Sequence, residues 1–336
     1  MTPTLHDVAR LAGVSIKTVS NVINGHPHVR QATRENVERA VAELGYMPNL
    51  TARNLRSGRT GAIALAVPDL ALSYFAELAG MVIAHAEERG VVVLVEQTGG
   101  EPSRERELLR SPRLGLTDGL ILSPLGLDAA DLTARPGAYP TVLLGERVFD
   151  VPLDHVTMRN AEAAEAATAH LLAAGRRRIA VLGAHDGDAE GAAGLRLQGH
   201  RAALDAAGVA FDPELVVATR FWDRSGGADA VRDLVARAVR FDAVFGLNDT
   251  LALGAIRALQ EAGLRVPHDV AVIGFDDLDE AQYSIPSLTT IDPGRRWIAQ
   301  TAVDTLLRRV AGEAGEPAAV LSGEFALRVR ESAPAG

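Results

Sequence analysis

Ile16, Lys17, Ser20 and Asn21 fall on one side of a short stretch whose other side carries Val19, Val22 and Ile23. A helix with that sidedness buries the branched apolar residues and turns short polar tips and one lysine outward. Such a face suits a helix pressed into a DNA major groove, where bulk would block approach and polar ends meet base edges. The same periodicity equally fits a small helical domain whose second helix has a solvated face. No other constellation in the chain supports bond-making chemistry. Phosphate-cradling glycine loops, the Gly-x-Ser-x-Gly nucleophile turn and His-Glu-x-x-His are all missing. The nine histidines form no pair with ligand spacing. Asp276-Asp277 beside Asp279-Glu280 lacks the spacing of a metal-binding loop and reads as a structural loop. With no cysteine, disulfides and thiolate sites are excluded. An enzyme is not expected, nor a metal or cofactor.

The outward face needs a scaffold, and the flanking residues supply one. Thr4 and Asp7 have capping-box spacing, with Asp in place of the usual Glu. Leu5, Val8, Ala9 and Ala12 then recur at one-face helical spacing. Gly13 stands where a left-handed cap belongs, and Ser15 can cap the next helix. Val37, Ala40, Val41 and Leu44 mark a third helix that Gly45 ends. Two short helices joined by a tight glycine turn make a helix-turn-helix. Residues 1–60 carry eight basic and four acidic side chains, a charge of +4 within a chain of −9. The remaining residues therefore carry −13, a basic head on an acidic body.

From Gly61 onward short apolar runs alternate with helical stretches. The runs are Ile63–Val67, Val91–Val95, Leu120–Leu122 and Thr141–Leu144, then Ile179–Leu182, Leu215–Val217, Ala243–Phe245 and Val270–Ile273. Phe75–Arg89, Ala161–Ala174, Leu195–Ala207 and Leu251–Ala262 have helical character. This alternation predicts βαβ units with buried parallel sheets. Two series predict two lobes, with a ligand at strand C-terminal ends facing the cleft between them. Apolar residues make up 47% of the chain, yet no run is long enough for a membrane span. The N-terminus lacks the basic-then-apolar pattern of a secretory signal, so cytoplasmic residence is expected.

The literal residues of the head go further. Thr4-Leu5-His6-Asp7-Val8-Ala9, Ala12-Gly13-Val14-Ser15, Thr18-Val19-Ser20 and Val22-Ile23-Asn24-Gly25 closely resemble the head of the LacI/GalR family of transcription regulators. Val29, Thr33-Arg34, Val37, Leu44-Gly45-Tyr46, Pro48-Asn49, Ala52-Arg53 and Leu55 continue the match. The resemblance implies base reading by Ile16, Lys17 and Asn21. It implies phosphate contacts from Thr4, Ser15, Thr18, Ser20, Asn24 and Thr33. Residues 48–58 would form a hinge helix that folds on the operator, with Leu55 wedged into the minor groove and Arg53 and Arg56 near phosphates or the groove floor. Read without the resemblance, those three are ordinary linker residues.

Weaker likeness extends over the body: Pro68-Asp69, Tyr74-Phe75-Ala76-Glu77-Leu78, Arg196-Leu197-Gln198-Gly199, Asn248-Asp249-Thr250-Leu251-Ala252-Leu253-Gly254 and Ile273-Gly274-Phe275-Asp276-Asp277. Ser287-Leu288-Thr289-Thr290-Ile291 looks like a segment crossing back between lobes. The family's pocket positions then fall on Tyr74, Phe75, Arg196, Phe221, Trp222, Asn248 and Asp276. Arg196 would fork onto hydroxyls or a carboxylate, Asn248 and Asp276 would bond a polyol, and the aromatics would offer flat faces to a sugar ring. Their bland alternatives are a salt bridge at a helix start for Arg196, a helix cap for Asn248 and core packing for Phe221. Three departures stand out: Arg159-Asn160, Gly175-Arg176-Arg177-Arg178 and Gly145-Glu146-Arg147. If they line or brace the pocket, the ligand would be more anionic than a neutral sugar; a basic surface accounts for them more simply.

The expected architecture is α/β. A helix-turn-helix head (1–46) and a hinge helix with linker (47–60) precede a two-lobed, periplasmic-binding-protein-like body (61–336). Lobe 1 would span about 61–159 and 290–322, and lobe 2 about 160–289 and 323–331. The resemblance implies a homodimeric repressor on a pseudo-palindromic double-stranded DNA operator, controlled by a sugar-like small-molecule effector whose binding changes the angle between lobes. No heptads follow Glu331, so no coiled-coil tetramer is expected. A solute-binding protein of the same two-lobe fold is the alternative; the head and the missing signal peptide count against it.

Overall fold

The computed structural model describes residues 3–23, 26–46, 59–134, 139–149, 151–184, 187, 189, 191–313 and 317–335. The chain divides into two compact units, Met1–Thr60 and Gly61–Gly336. The expected hinge helix, with Arg53, Leu55 and Arg56, lies outside the described residues, as does Asn24.

In the first unit α1 (Leu5–Ala12), α2 (Ile16–Ile23) and α3 (Gln31–Leu44) enclose Val8, Ala9, Ala12, Val19, Val22, Val37 and Ala40. The Thr4–Asp7 capping box closes as the spacing predicts. Gly13 caps α1 at φ 63, a conformation in which a side chain would be strained. Asn36 Nδ2 donates to the Ala12 carbonyl at 2.7 Å, tying α3 to the turn between α1 and α2. Ser15 accepts from the Thr18 amide at 3.1 Å, so the first turn of α2 is capped as expected.

The second unit opens with β1 (Ala62–Val67), α4 (Ser73–Glu87), β2 (Val92–Gln97) and α5 (Pro102–Leu109). Next come β3 (Leu120–Leu122), α6 (Ala129–Thr133), β4 (Thr141–Leu144) and β5 (Asp154–Thr157). The chain then crosses to α7 (Asn160–Ala173), β6 (Ile179–Leu182), α8 (Gly191–Ala206), β7 (Val216–Val217) and α9 (Arg224–Ala236). There follow β8 (Ala243–Gly246), α10 (Asp249–Glu261), β9 (Ala271–Phe275), α11 (Asp279–Tyr283) and β10 (Thr289–Asp292). Finally α12 (Arg295–Ala311) and β11 (Val320–Ser322) return to the first lobe, and β12 (Ala326–Arg328) to the second.

Strand order is β11-β5-β4-β3-β1-β2 in lobe 1 and β12-β10-β9-β8-β6-β7 in lobe 2. All pairs are parallel except β10 with β12. Both faces of each sheet are covered, which is why most central strands read as unbroken apolar runs rather than alternating ones. Each order reverses direction beside its first strand, and ligands of such sheets bind at the strand ends there. The Ser287–Ile291 segment differs from expectation. It enters the lobe 2 sheet as β10, and the chain crosses only after Asp292.

Helix pairs on lobe 2 approach closely. A Cβ on Gly199 would lie 2.0 Å from the Ala161 carbonyl oxygen, so the glycine of Arg196-Leu197-Gln198-Gly199 is what lets α8 lie against α7. The same α7–α8 seam buries His200, with Nδ1 3.0 Å from Thr168 Oγ1. Burial, reinforced by Arg201, pushes the imidazole down to about 4 from its ordinary 6.5. The folded state thus keeps His200 neutral where the unfolded chain protonates it. Its contribution is intact above pH 6.5 and is lost as pH falls from there toward 4. Between pH 7 and pH 5 this one group should remove about 2 kcal/mol. Urea midpoints of wild type and His200→Gln at the two pH values would check this: the variant should lose less stability over the interval.

Candidate functional site

In the head unit α2 presents Ile16 and Lys17 to solvent, Ile16 at 38% exposure despite its branched side chain. Asn21, Ser20 and Thr33 are half-buried, and Thr4 is exposed. Ser15 and Thr18 share a 2.8 Å hydrogen bond between hydroxyls, and Thr4 Oγ1 donates to Asp7 at 2.7 Å, so these three serve local structure first. Arg34 donates to the His26 carbonyl at 2.9 Å and fixes the turn before α3.

In the body, helices α4, α8, α10 and α12 and the turns after β4 and β9 bring charged groups together. Arg196 lies in α8 and is 3% exposed. Its Nε donates to Asn160 Oδ1 at 2.7 Å, and its Nη1 to the Leu247 carbonyl. Nη2 is 3.7 Å from Met158 Sδ and 3.9 Å from Asp276 Oδ1. The guanidinium lies over Phe275, 3.5 Å from the ring centroid, and 5.6 Å from that of Trp222. The fork expected for a ligand is therefore largely used inside the protein, and Nη2 is the part with capacity to spare. Burial lowers the Arg196 pKa, while Asp276 and Glu146 oppose that shift.

Asp276 follows β9 in a turn where φ is 118 for Asp276 and 51 for Asp277, two successive non-glycine residues in left-handed conformations. Arg330 Nη2 pins Asp277 from one side at 2.6 Å, and Arg295 donates to its carbonyl from the other. Asp249 supports the same turn from beneath. Its carboxyl group accepts from Leu278 N at 2.8 Å and Thr290 Oγ1 at 2.5 Å. Burial pushes Asp276 up to about 7, against the pull of Arg196 and Arg295. Burial and the neighbouring Asp276 raise Asp249 well above the carboxylate range. Tyr74 is raised by burial and then by Asp276 and Glu146, so its phenol stays a neutral hydroxyl. Phe75 meets it edge-on at 5.1 Å.

Glu146 is held at the crossing between lobes, where Oε1 accepts from Thr157 Oγ1 at 3.1 Å and Met158 N at 3.3 Å. His155 Nε2 grips the preceding Gly145 carbonyl. Trp222 donates its indole N–H to Gly183 at 2.9 Å, and Phe221, 59% exposed, sits beside Arg220. Asn248 takes the capping alternative: it accepts from Leu251 N at 2.8 Å and donates to the Trp222 carbonyl at 3.1 Å. It braces the aromatic instead of presenting a spare amide.

Across the lobes, Ser73 donates to Glu280 at 3.2 Å and Glu77 accepts from Asp279 N at 3.2 Å. Glu77 also pairs with Arg295. The sequence reading missed Arg295, Glu77 and Asp249 as site residues. Arg295 starts a helix that was not predicted, while Glu77 and Asp249 lay within quoted motifs whose roles only the fold reveals. The departures resolve differently. Arg176, Arg177 and Arg178 precede β6, and they bond the carbonyls of Asp242, Pro267, Leu172 and Arg240 at the opposite end of the sheet. Arg159 pairs with Glu162 and Glu324. Glu146 alone among the singled-out charges joins the cluster, and it is acidic.

Residues 4–49 match the model for bacterial regulatory proteins of the lacI family, and residues 168–333 match a periplasmic binding protein-like domain. The HTH-type transcriptional regulator CelR of Thermobifida fusca is 39% identical over 98% of each chain. The ribose operon repressor of Escherichia coli K12 is 35% identical, over 91% of this chain and 93% of that one. Among solved structures, the lac repressor dimer bound to operator and an anti-inducer superposes with TM-score 0.84 at 30% identity, covering 100% of both chains. A CelR–cellobiose complex matches at TM-score 0.70 and 36% identity, over 98% of this chain and 99% of that one. No helix among the described residues is long and apolar enough to cross a membrane.

Proposed function

The chain belongs to the LacI family of bacterial regulatory proteins, and from that premise we propose that it is a cytoplasmic repressor whose cleft takes a saccharide. It is a DNA-binding transcription regulator and not an enzyme. Ile16, Lys17 and Asn21 read bases, Lys17 by donating to guanine O6 and N7. Thr4, Ser15, Thr18, Ser20, Asn24 and Thr33 set register on phosphates, and Arg53, Leu55 and Arg56 engage the minor groove. In the body, Asp276, Arg196 Nη2 and the Tyr74 hydroxyl bond ligand hydroxyls, with Trp222, Phe221 and Phe75 supplying apolar faces. The observation that carries the effector assignment is the convergence of Arg196, Asp276 and Tyr74 between the lobes. The CelR–cellobiose neighbour supports a sugar there. Asn248 acts by holding Trp222.

Two apolar surfaces support a dimer. The edge strand β2 exposes Val92 and Leu94, and lobe 2 exposes Tyr283 and Ile285. A two-fold assembly matches the symmetry of a pseudo-palindromic operator.

The test is fluorescence anisotropy of full-length protein on operator selected from random duplexes, with and without sugars. Specific binding that a sugar weakens or strengthens supports the reading; binding indifferent to every sugar removes the effector assignment. Lys17→Ala should lower affinity for the selected operator by roughly 1–3 kcal/mol while leaving random-duplex binding little changed. Equal losses on both duplexes would make Lys17 a phosphate contact.

A further inference from the structure

The cleft holds two guanidinium groups, and most of each fork is committed inside the protein, Arg196 Nη2 being the part with capacity to spare. Arg196 has Asn160, the Leu247 carbonyl and, at 3.9 Å, Asp276. Arg295 is buried, with Nη1 on Glu77 and Nη2 on the Asp277 carbonyl. Against these two cations stand Glu77, Glu146 and Asp276, while Asp249 is committed beneath the turn to Leu278 N and Thr290 Oγ1. Glu146 spends one oxygen on Thr157 and Met158, and Asp276 has its carboxyl group within reach of Arg196. What the site offers an incoming molecule is therefore chiefly acceptor oxygen. Hydroxyls can donate to it. A carboxylate or phosphate cannot, and would sit among acids in a place too dry to screen them. Arg147 and Arg220 are exposed, where water and salt screen their charge.

We propose that the cleft admits uncharged polyhydroxyl ligands and refuses anionic ones, and that Glu77 enforces this by occupying Arg295. The inference rests on the saccharide reading and adds the ligand's charge to it. Glu77 is a positioning residue here: it touches Arg295 and Asp279, and selects against anions by withholding a cation. Selectivity obtained by building an unfavourable partner for the wrong ligand is a general device.

The test is calorimetric titration of the full chain with matched pairs: glucose and gluconate, cellobiose and cellobionate, ribose and ribose 5-phosphate. Wild type should bind a neutral member at least about 100-fold more tightly than its acid or phosphate. Glu77→Gln should raise affinity for that anion about tenfold or more, and Glu77→Gln/Arg295→Gln should lose the gain. A merely structural role for Glu77 would weaken both members alike. If Glu77→Gln fails to fold, Glu146→Gln takes its place, since removing that acid should also relax the refusal. Wild type that binds the anion as well as the neutral sugar overturns the proposal and leaves the saccharide reading standing. Discrimination that survives Glu77→Gln overturns the role of Glu77, or that of the acids as a group if it also survives Glu146→Gln. Failure of every pair to bind either protein overturns the saccharide reading and the proposal with it.

Discussion

Replacing Arg196 with alanine should destabilise the body by about 3–5 kcal/mol, well before any effector is considered. The reason is the set of partners left behind. Asn160 Oδ1 and the Leu247 carbonyl lose their donor inside the protein, and Asp276 loses the stronger of its two compensating cations. The face of Phe275 loses the guanidinium that covers it. An unmade buried hydrogen bond costs about 1–3 kcal/mol, and an uncompensated buried carboxylate more. Urea unfolding of the isolated body (61–336), or the body transition of the full chain, reads this directly. Arg196→Lys should recover part of the stability but little of the ligand response, because one ammonium cannot reproduce the planar fork between Asn160 and Leu247. Wild-type stability in the alanine variant would mean that the cluster relaxes around the gap and that Arg196 is held for the ligand alone.

The second large effect concerns assembly. Leu94 points out of β2 at 41% exposure beside Val92 at 55%, on the edge of the lobe 1 sheet. If β2 is the proposed dimer surface, Leu94→Asp places a charge where a partner subunit would have to desolvate it, so the dimer should dissociate at micromolar concentration. Each head alone would then grip a half-site without the effective concentration its tethered twin supplies. Operator affinity should fall by roughly two to four orders of magnitude. Sedimentation velocity and operator titration must move together. A monomer that still binds full-strength operator would show that pairing happens on DNA, and an intact Leu94→Asp dimer would place the interface elsewhere.

The sequence exposed α1, α2 and α3 of the head because their determinants are local. The Thr4–Asp7 box, the Gly13 cap and the one-face periodicity of α1 and α2 each span a few residues. The doubly covered strands were likewise visible as apolar runs. What stayed hidden was short or non-local. β5 is four residues long, β11 and β12 contribute three residues each at sheet edges, and α12 carries arginines at both ends of its apolar pattern. The site itself joins Tyr74, Glu146, Arg196, Asp276 and Arg295 across more than two hundred residues, and no window along the chain contains them together. Asn248 illustrates the converse: a helix cap and a ligand contact look identical in sequence, and only the hydrogen-bond partners separate them.

The turn at Asp276 and Asp277 sets a course for how this protein can evolve. At φ 118 only glycine is at ease, and residues held in such conformations cost of order 1–3 kcal/mol each. Asp276 adds the expense of a carboxyl group that burial pushes up to about 7. Both burdens fall on a residue proposed to bond the effector. A lineage selected for heat resistance alone, with no sugar to sense, would find relief at this turn by drifting toward glycine. On the proposed effector role of Asp276, stability and sensing are therefore rivals at a single codon.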